Sequence, residues 1–155
     1  MPTSRRGLGS AGLKGPVDKS ETRIIELCED SVARLAEALP EAEVGGLLRA
    51  GETLRHVAHA GRLRVIYEVQ REQGGVAWRA VELRETQLVE DVRRDPDYLA
   101  SDECVQSEIA APVAADDEIV LVLDVEFPGR VFSSEEIAAV EDEAERLGRV
   151  IEDVR

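Results

Sequence analysis

The residues best suited to chemistry are carboxylates. Asp124 and Glu126 stand two apart in the run Ile119–Phe127, so in a strand they project from one face. Val120 and Val122 share that face, while Leu121, Leu123, Val125 and Phe127 take the other. A strand that turns from apolar to acidic along one face marks a change of environment. It is either an anionic floor for a ligand's ammonium or guanidinium group, or a strand end that meets solvent or Arg partners. Glu108 alternates with Ala110 and Pro112 in a second extended run. An acid among such neighbours serves a ligand, ties the preceding loop to the sheet, or does both. Tyr98 and Trp78 lie in the segment between strands, where an aromatic ring can stack on a planar ligand or a cation or simply fill core.

Sulfur and imidazole offer less. Cys28 and Cys104 are far apart, too few and too separated for a disulfide framework or a zinc set, and no metal site is expected. Cys28 falls on the apolar seam of a helix and reads as buried. Cys104 has Asp102, Glu103 and Glu108 nearby, whose charges raise a thiol's pKa and suppress the thiolate. Alternation along one strand places His56 and His59 on opposite faces, which predicts that they do not share a site. Gly74-Gly75 precedes Val76 without the spacing or the Lys of a phosphate loop, so a tight turn is expected there.

The elements that must position these groups can be read from periodicity. Residues 1–17 are rich in Gly, Ser, Pro and Arg without periodicity and read as a flexible tail. Arg5-Arg6 resembles a twin-arginine start, but the Gly-Leu-Gly-Ser-Ala-Gly that follows is too polar for a signal core. A single domain is expected over 18–155. Asp18 and Glu21 have capping-box spacing, and Ile25, Cys28, Val32, Leu35 and Leu39 continue an amphipathic helix over 18–40. Strands are expected at Val44–Ala50, Thr53–Ala60, Leu63–Val69 and Ser107–Val113, with a short helix at Val76–Glu82 and an extended piece at Gln87–Val92. Pro112 belongs near an edge or bulge, and Asp116-Asp117 signals a hairpin. The continuous apolar run Ile119–Phe127 implies a central strand. Ser133 and Glu136 repeat the capping-box spacing, and Ile137, Val140, Ala144, Leu147, Ile151 and Val154 form a seam along a last helix over 133–154. The result is an α+β fold with a mainly antiparallel sheet.

Composition excludes several partners. The chain has 155 residues and a formal net charge of −14, which argues against nucleic-acid binding and against anionic lipid. The basic residues are scattered and are Arg except for Lys14 and Lys19. No apolar run reaches the ~20 residues of a membrane helix, so a cytoplasmic location is expected. Aromatics make up 3% of the chain, leaving the core to Val, Leu, Ile and Ala.

Taken in order, Gly74-Gly75-Val76-Ala77, Val89-Glu90-Asp91-Val92, Asp95-Pro96-Asp97-Tyr98, Ser107–Val113, Val122–Glu126 and Phe132 with the final helix resemble a GAF domain. The resemblance runs from about Val44 to Ile151. It implies a central antiparallel sheet with the N- and C-terminal helices packed on one face and a small-molecule pocket on the other. It also implies a sensory or regulatory role. Within that family, the Ser-Glu-Ile and Leu-Asp-Val-Glu segments look most like free methionine-(R)-sulfoxide reductases, whose acidic residues hold the amino-acid substrate. Glu108, Asp124 and Glu126 fall on those acidic positions. The family's cysteine positions hold Ser101 and Ala77 instead, and sulfoxide reduction needs a thiolate and then a resolving thiol.

The expectation is therefore a stand-alone GAF-type module that binds a small molecule, amino-acid-like or cationic, through Glu108, Asp124, Glu126, Tyr98, Trp78 and Cys104. It would act through a homodimer formed by the terminal-helix seams or through a signalling partner protein. No chromophore-attachment signature is evident, and the sequence names no cofactor. The alternatives are a diverged reductase-like enzyme using Cys104, and a non-binding structural or dimerisation domain.

Overall fold

The computed structural model describes residues 18–63, 65–100 and 102–155; the expected tail and Ser101 lie outside them. Helix α1 (Lys19–Ala38) is capped by Asp18, whose carboxylate accepts from the Ser20 amide at 2.9 Å. Glu21 does not complete the box expected from its spacing and instead takes Arg55 of the sheet at 2.6 Å. Helix α3 (Ser134–Val154) does carry the reciprocal box between Ser133 and Glu136.

Six strands form one antiparallel sheet: β1 (Glu43–Ala50), β2 (Thr53–Ala60), β3 (Glu68–Gln70), β4 (Gln87–Val89), β5 (Val105–Ala115) and β6 (Glu118–Pro128), in the order β3-β2-β1-β6-β5-β4. Strand β6 is central, as its apolar run requires. Asp116 and Asp117 turn the β5–β6 hairpin with φ of 51° and 63°, the left-handed pair that a two-residue hairpin demands. Strand β4 covers β5 only at Glu108–Ala110, so Pro112 sits where β5 has become an edge. The run expected as a strand over Leu63–Val69 shortens to β3, because the residues before it turn over the sheet to line a cavity. The extended piece at Gln87–Val92 likewise shortens to β4, and Val92 opens a 3-10 turn.

Helices α1 and α3 lie on one face. Cys28, Val32, Leu35, Val140, Ala144, Leu147 and Ile151 are buried against Ile109, Ala111, Val113, Leu121, Leu123, Val125 and Phe127. The approach is close enough that a side chain at Gly148 would strike the Ala114 carbonyl, and one at Gly46 would strike the Cys28 sulfur. Most of the seam residues are thus buried within the chain, with Ile25 and Ile137 partly buried and Val154 exposed. Val120 also departs from expectation: the ladder pairs Leu121 with Val113 and Ile119 with Ala114. Val120 is therefore a bulged residue and joins the helix-side core.

On the other face, the short helix α2 (Val76–Leu83) packs over a second core of Leu47, Leu54, Val69, Val76, Trp78, Val81 and Val122. Among the described residues no helix is long and apolar enough to cross a membrane.

Candidate functional site

Register decides which side chains meet. Across three strands Glu108 stands opposite Glu126, and Glu126 opposite Glu43. One step along, Ala110 faces Asp124, Asp124 faces Gly45, and Gly45 faces His59. Like charges directly opposed are unfavourable in a sheet, so two adjoining rows that hold four carboxyls require either a ligand or protons.

Strand β2 supplies both histidines to this face. Its ladder pairs Gly46 with Ala58 and Leu47 with His56, leaving Val57 as an extra, bulged residue that resets the alternation. The expectation that His56 and His59 face opposite ways is thereby corrected. Both line the cavity, with ring centroids 5.6 Å apart. His56 is oriented by Nδ1, 3.2 Å from the Ile66 carbonyl. Gly45 makes its place: a Cβ there would come to 2.5 Å from Nε2 of His56.

Between the sheet and the covering segments lies a cavity with about 650 Å³ of space free of protein atoms, solvent at its mouth included. Glu43, His56, His59, Glu108, Asp124 and Glu126 form its polar floor. Leu47, Leu63, Val65, Ile66, Val69, Val76 and Leu99 form an apolar wall. Among the described residues no Lys or Arg lines it. The segment that carries Leu99 is anchored by Arg79 of α2, which donates to Asp95 at 2.8 and 3.0 Å and to Asp97 at 2.9 Å.

Glu108, Asp124 and Glu126 each bring an oxygen within 4.8 Å of the others, a spacing that surrounds one small cation. Glu108 is 5% exposed. Burial, then the charges of Asp124 and Glu126, push its carboxyl well above the usual range. Burial also raises Asp124, although its contact with the Glu108 carboxyl works in the opposite direction. Glu126 is pushed up to about 8 by burial and by Asp124 and Glu43. Burial lowers His56 despite the nearby Asp124, which leaves the ring neutral near pH 7. Glu43 is held at the rim, accepting from the Arg62 amide at 2.8 Å and lying 3.1 Å from Nε2 of His59. Gly61 stands beside it with a φ of 146°, a backbone conformation that side chains rarely adopt.

The three acids expected from the sequence are brought together; the other three candidates are not. Trp78 is 1% exposed in the core beneath the site, and its indole N–H donates to the Val69 carbonyl at 2.9 Å. Tyr98 packs against that same core, and its neighbour Leu99 takes the place on the cavity wall. Cys104 is exposed outside the lining, and its thiol is pushed up chiefly by the Asp102 carboxylate. Ala77, one of the positions where the resemblance expects a cysteine, does line the cavity. Sequence reasoning missed Glu43, His56 and His59. The one available signal was Gly45-Gly46 inside a strand, which marks a close approach.

The family model for the GAF domain matches residues 21–152. The chain belongs to the GAF domain family. Solved structures share this fold at low identity. The type II free methionine-R-sulfoxide reductase of Thermoplasma acidophilum superposes with a TM-score of 0.76 at 23% identity, covering 87% of this chain and 96% of its own. The free methionine-R-sulfoxide reductase of Neisseria meningitidis, solved with its substrate, gives 0.73 at 21%, covering 90% and 93%. The GAF domain of a Coxiella burnetii phosphoenolpyruvate-protein phosphotransferase gives 0.69 at 19%, covering 81% and 80%. No curated protein sequence matches this GAF chain. At these identities the likeness to solved structures is one of fold.

Proposed function

We propose that this GAF domain is a cytoplasmic sensory or regulatory module that binds a small cationic or amino-acid-like metabolite in the cavity and acts through a homodimer or a partner protein. The observation that carries this reading is the convergence of Glu108, Asp124 and Glu126 on one point of a cavity whose remaining wall is apolar. A cation-bearing head would sit among the carboxylates and take the place of the proton that they share. The apolar body of the ligand would lie against Leu47, Ile66, Val69 and Leu99. Ligand pockets combine a few convergent polar groups with such apolar walls.

The reductase alternative has less behind it. Attack on a sulfoxide sulfur needs a thiolate, and Cys104 lies outside the cavity lining beside a carboxylate that disfavours its ionised form. Thiol-dependent loss of free methionine sulfoxide that disappears in Cys104→Ser would restore that alternative.

The binding reading is tested by thermal-shift and calorimetric titration against primary amines, guanidines and amino acids. One of these classes is expected to raise the melting temperature of the native chain and to lose that effect in Asp124→Asn. A panel that leaves the protein unshifted at millimolar concentration would contradict it.

A further inference from the structure

The acid trio has a property that goes past the class of its ligand. Three carboxyl oxygens lie within 4.8 Å of one another, on a floor with no Lys or Arg among its described lining residues. In a buried site such groups cannot all be ionised, because each charge raises the cost of the next. Three atoms at this floor, Oδ1 of Asp124, Nε2 of His56 and Oε2 of Glu43, are buried and have no hydrogen-bond partner among the described residues. They are polar positions that a ligand or water in the cavity can satisfy.

We propose that the cavity exchanges protons for its cation: the empty trio of Glu108, Asp124 and Glu126 holds at least one proton, which passes to the buffer when a cationic ligand takes its place, so that affinity rises with pH. This inference rests on the binding reading above.

The acids that face the trio favour its protonated form, and the two histidines oppose them at Asp124. From β1 comes Glu43, whose charge acts on Glu126. From β2 come His56 and His59, which favour the ionised form of Asp124. His56 is itself held neutral near pH 7 by burial. From the covering segments come Asp95, acting on Glu108, and Asp102, acting on Glu126. Asp95 is matched by Arg79, and Cys104 stands near Glu43 at the rim with its thiol pushed up. The acids around the trio therefore add to proton retention, and no lining guanidinium or ammonium among the described residues offsets them. A bound cation reverses the balance, since an opposite charge at contact favours the ionised carboxyls.

Two measurements on the intact chain test this. The first is a carboxyl carbon-13 NMR titration of the empty protein from about pH 4 to about pH 9. At least one trio carboxyl is expected to stay protonated above about pH 6. All three ionising by about pH 5 would overturn the proposal. The second is calorimetry with n-butylammonium and guanidinium chlorides, which stay charged over that range, in buffers of different ionisation enthalpy. Proton release on binding is expected. Affinity should climb by up to about tenfold per pH unit below the trio's midpoint. Glu108→Gln should release fewer protons and show a flatter pH profile. Binding without proton release would overturn the exchange and leave the binding reading intact. If neither cation binds, the binding reading falls and the exchange with it, whatever the NMR titration reports.

Discussion

Glu126→Gln should stabilise the protein, and the gain should appear only as pH rises. Glu126 sits on the cavity floor with Glu108 opposite on one side and Glu43 on the other. Its carboxyl rises from an ordinary 4.5 to about 8, first through burial and then through Asp124 and Glu43. Between those two values the folded chain keeps a proton that the unfolded chain has released. The unfolded state then binds fewer protons, so stability falls as pH rises across that window. Each unit of difference is worth about 1.4 kcal/mol, which gives an upper bound of roughly 3 kcal/mol lost at pH 7 from this one residue. Glutamine fills the same space and cannot ionise. Some of the gain is offset by burying an amide without full hydrogen bonding, so a net gain of about 1–3 kcal/mol at pH 8 is expected. For a chain of this length that is a rise in Tm of roughly 3–10 °C. The assay is urea and thermal unfolding of both proteins, without ligand, in half-unit steps from about pH 4 to about pH 8. At the acid end the variant should be no more stable than the native chain, and the difference should shift in its favour towards the alkaline end. Parallel curves, or a variant less stable at pH 8 than the native chain, would refute the claim that Glu126 keeps its proton in the empty site.

Three further outcomes follow from the same structure. Gly45→Ala places a methyl group 2.5 Å from Nε2 of His56 and should cost about 1–3 kcal/mol in urea unfolding as the ring is displaced. Arg79→Ala removes the half-buried ion pairs to Asp95 and Asp97, with an expected loss of roughly 1–3 kcal/mol. Faster hydrogen exchange over Asp95–Leu99 should report the freed cavity wall. In native protein a thiol reagent should label Cys104 and spare Cys28, whose buried thiol is pushed up to about 12. Labelling of both cysteines before unfolding would show that α1 does not stay seated on Gly46.

Long apolar periodicities carried most of the fold. The runs through Ile119–Phe127, Cys28–Leu39 and Val140–Ile151 leave few alternatives to a central strand covered by two helices, and the capping box at Ser133 fixed the start of α3. What stayed hidden depends on single-residue events in the ladders. One bulged residue, Val57, turns His56 and His59 to the same side, and another, Val120, moves to the helix face. Strict alternation cannot anticipate either. The acids were legible because Asp124 and Glu126 interrupt an apolar strand. Glu43 was not, because it opens β1 and becomes part of the floor only through its cross-strand partner Glu126. Trp78 and Tyr98 read as ligand contacts from their types, but core packing claimed both. The seams of α1 and α3 read both as cover for the sheet and as dimer contacts, because sequence does not say which neighbour an apolar stripe meets.

The central claim is that Glu108, Asp124 and Glu126 hold a small cationic molecule. The most direct test is native mass spectrometry of the protein isolated from its own host, beside the variant in which all three are replaced by their amides. The native chain is expected to carry a small-molecule adduct that is released on denaturation and missing from the variant. A native chain that carries no adduct, or an adduct that persists in the variant, would contradict the account.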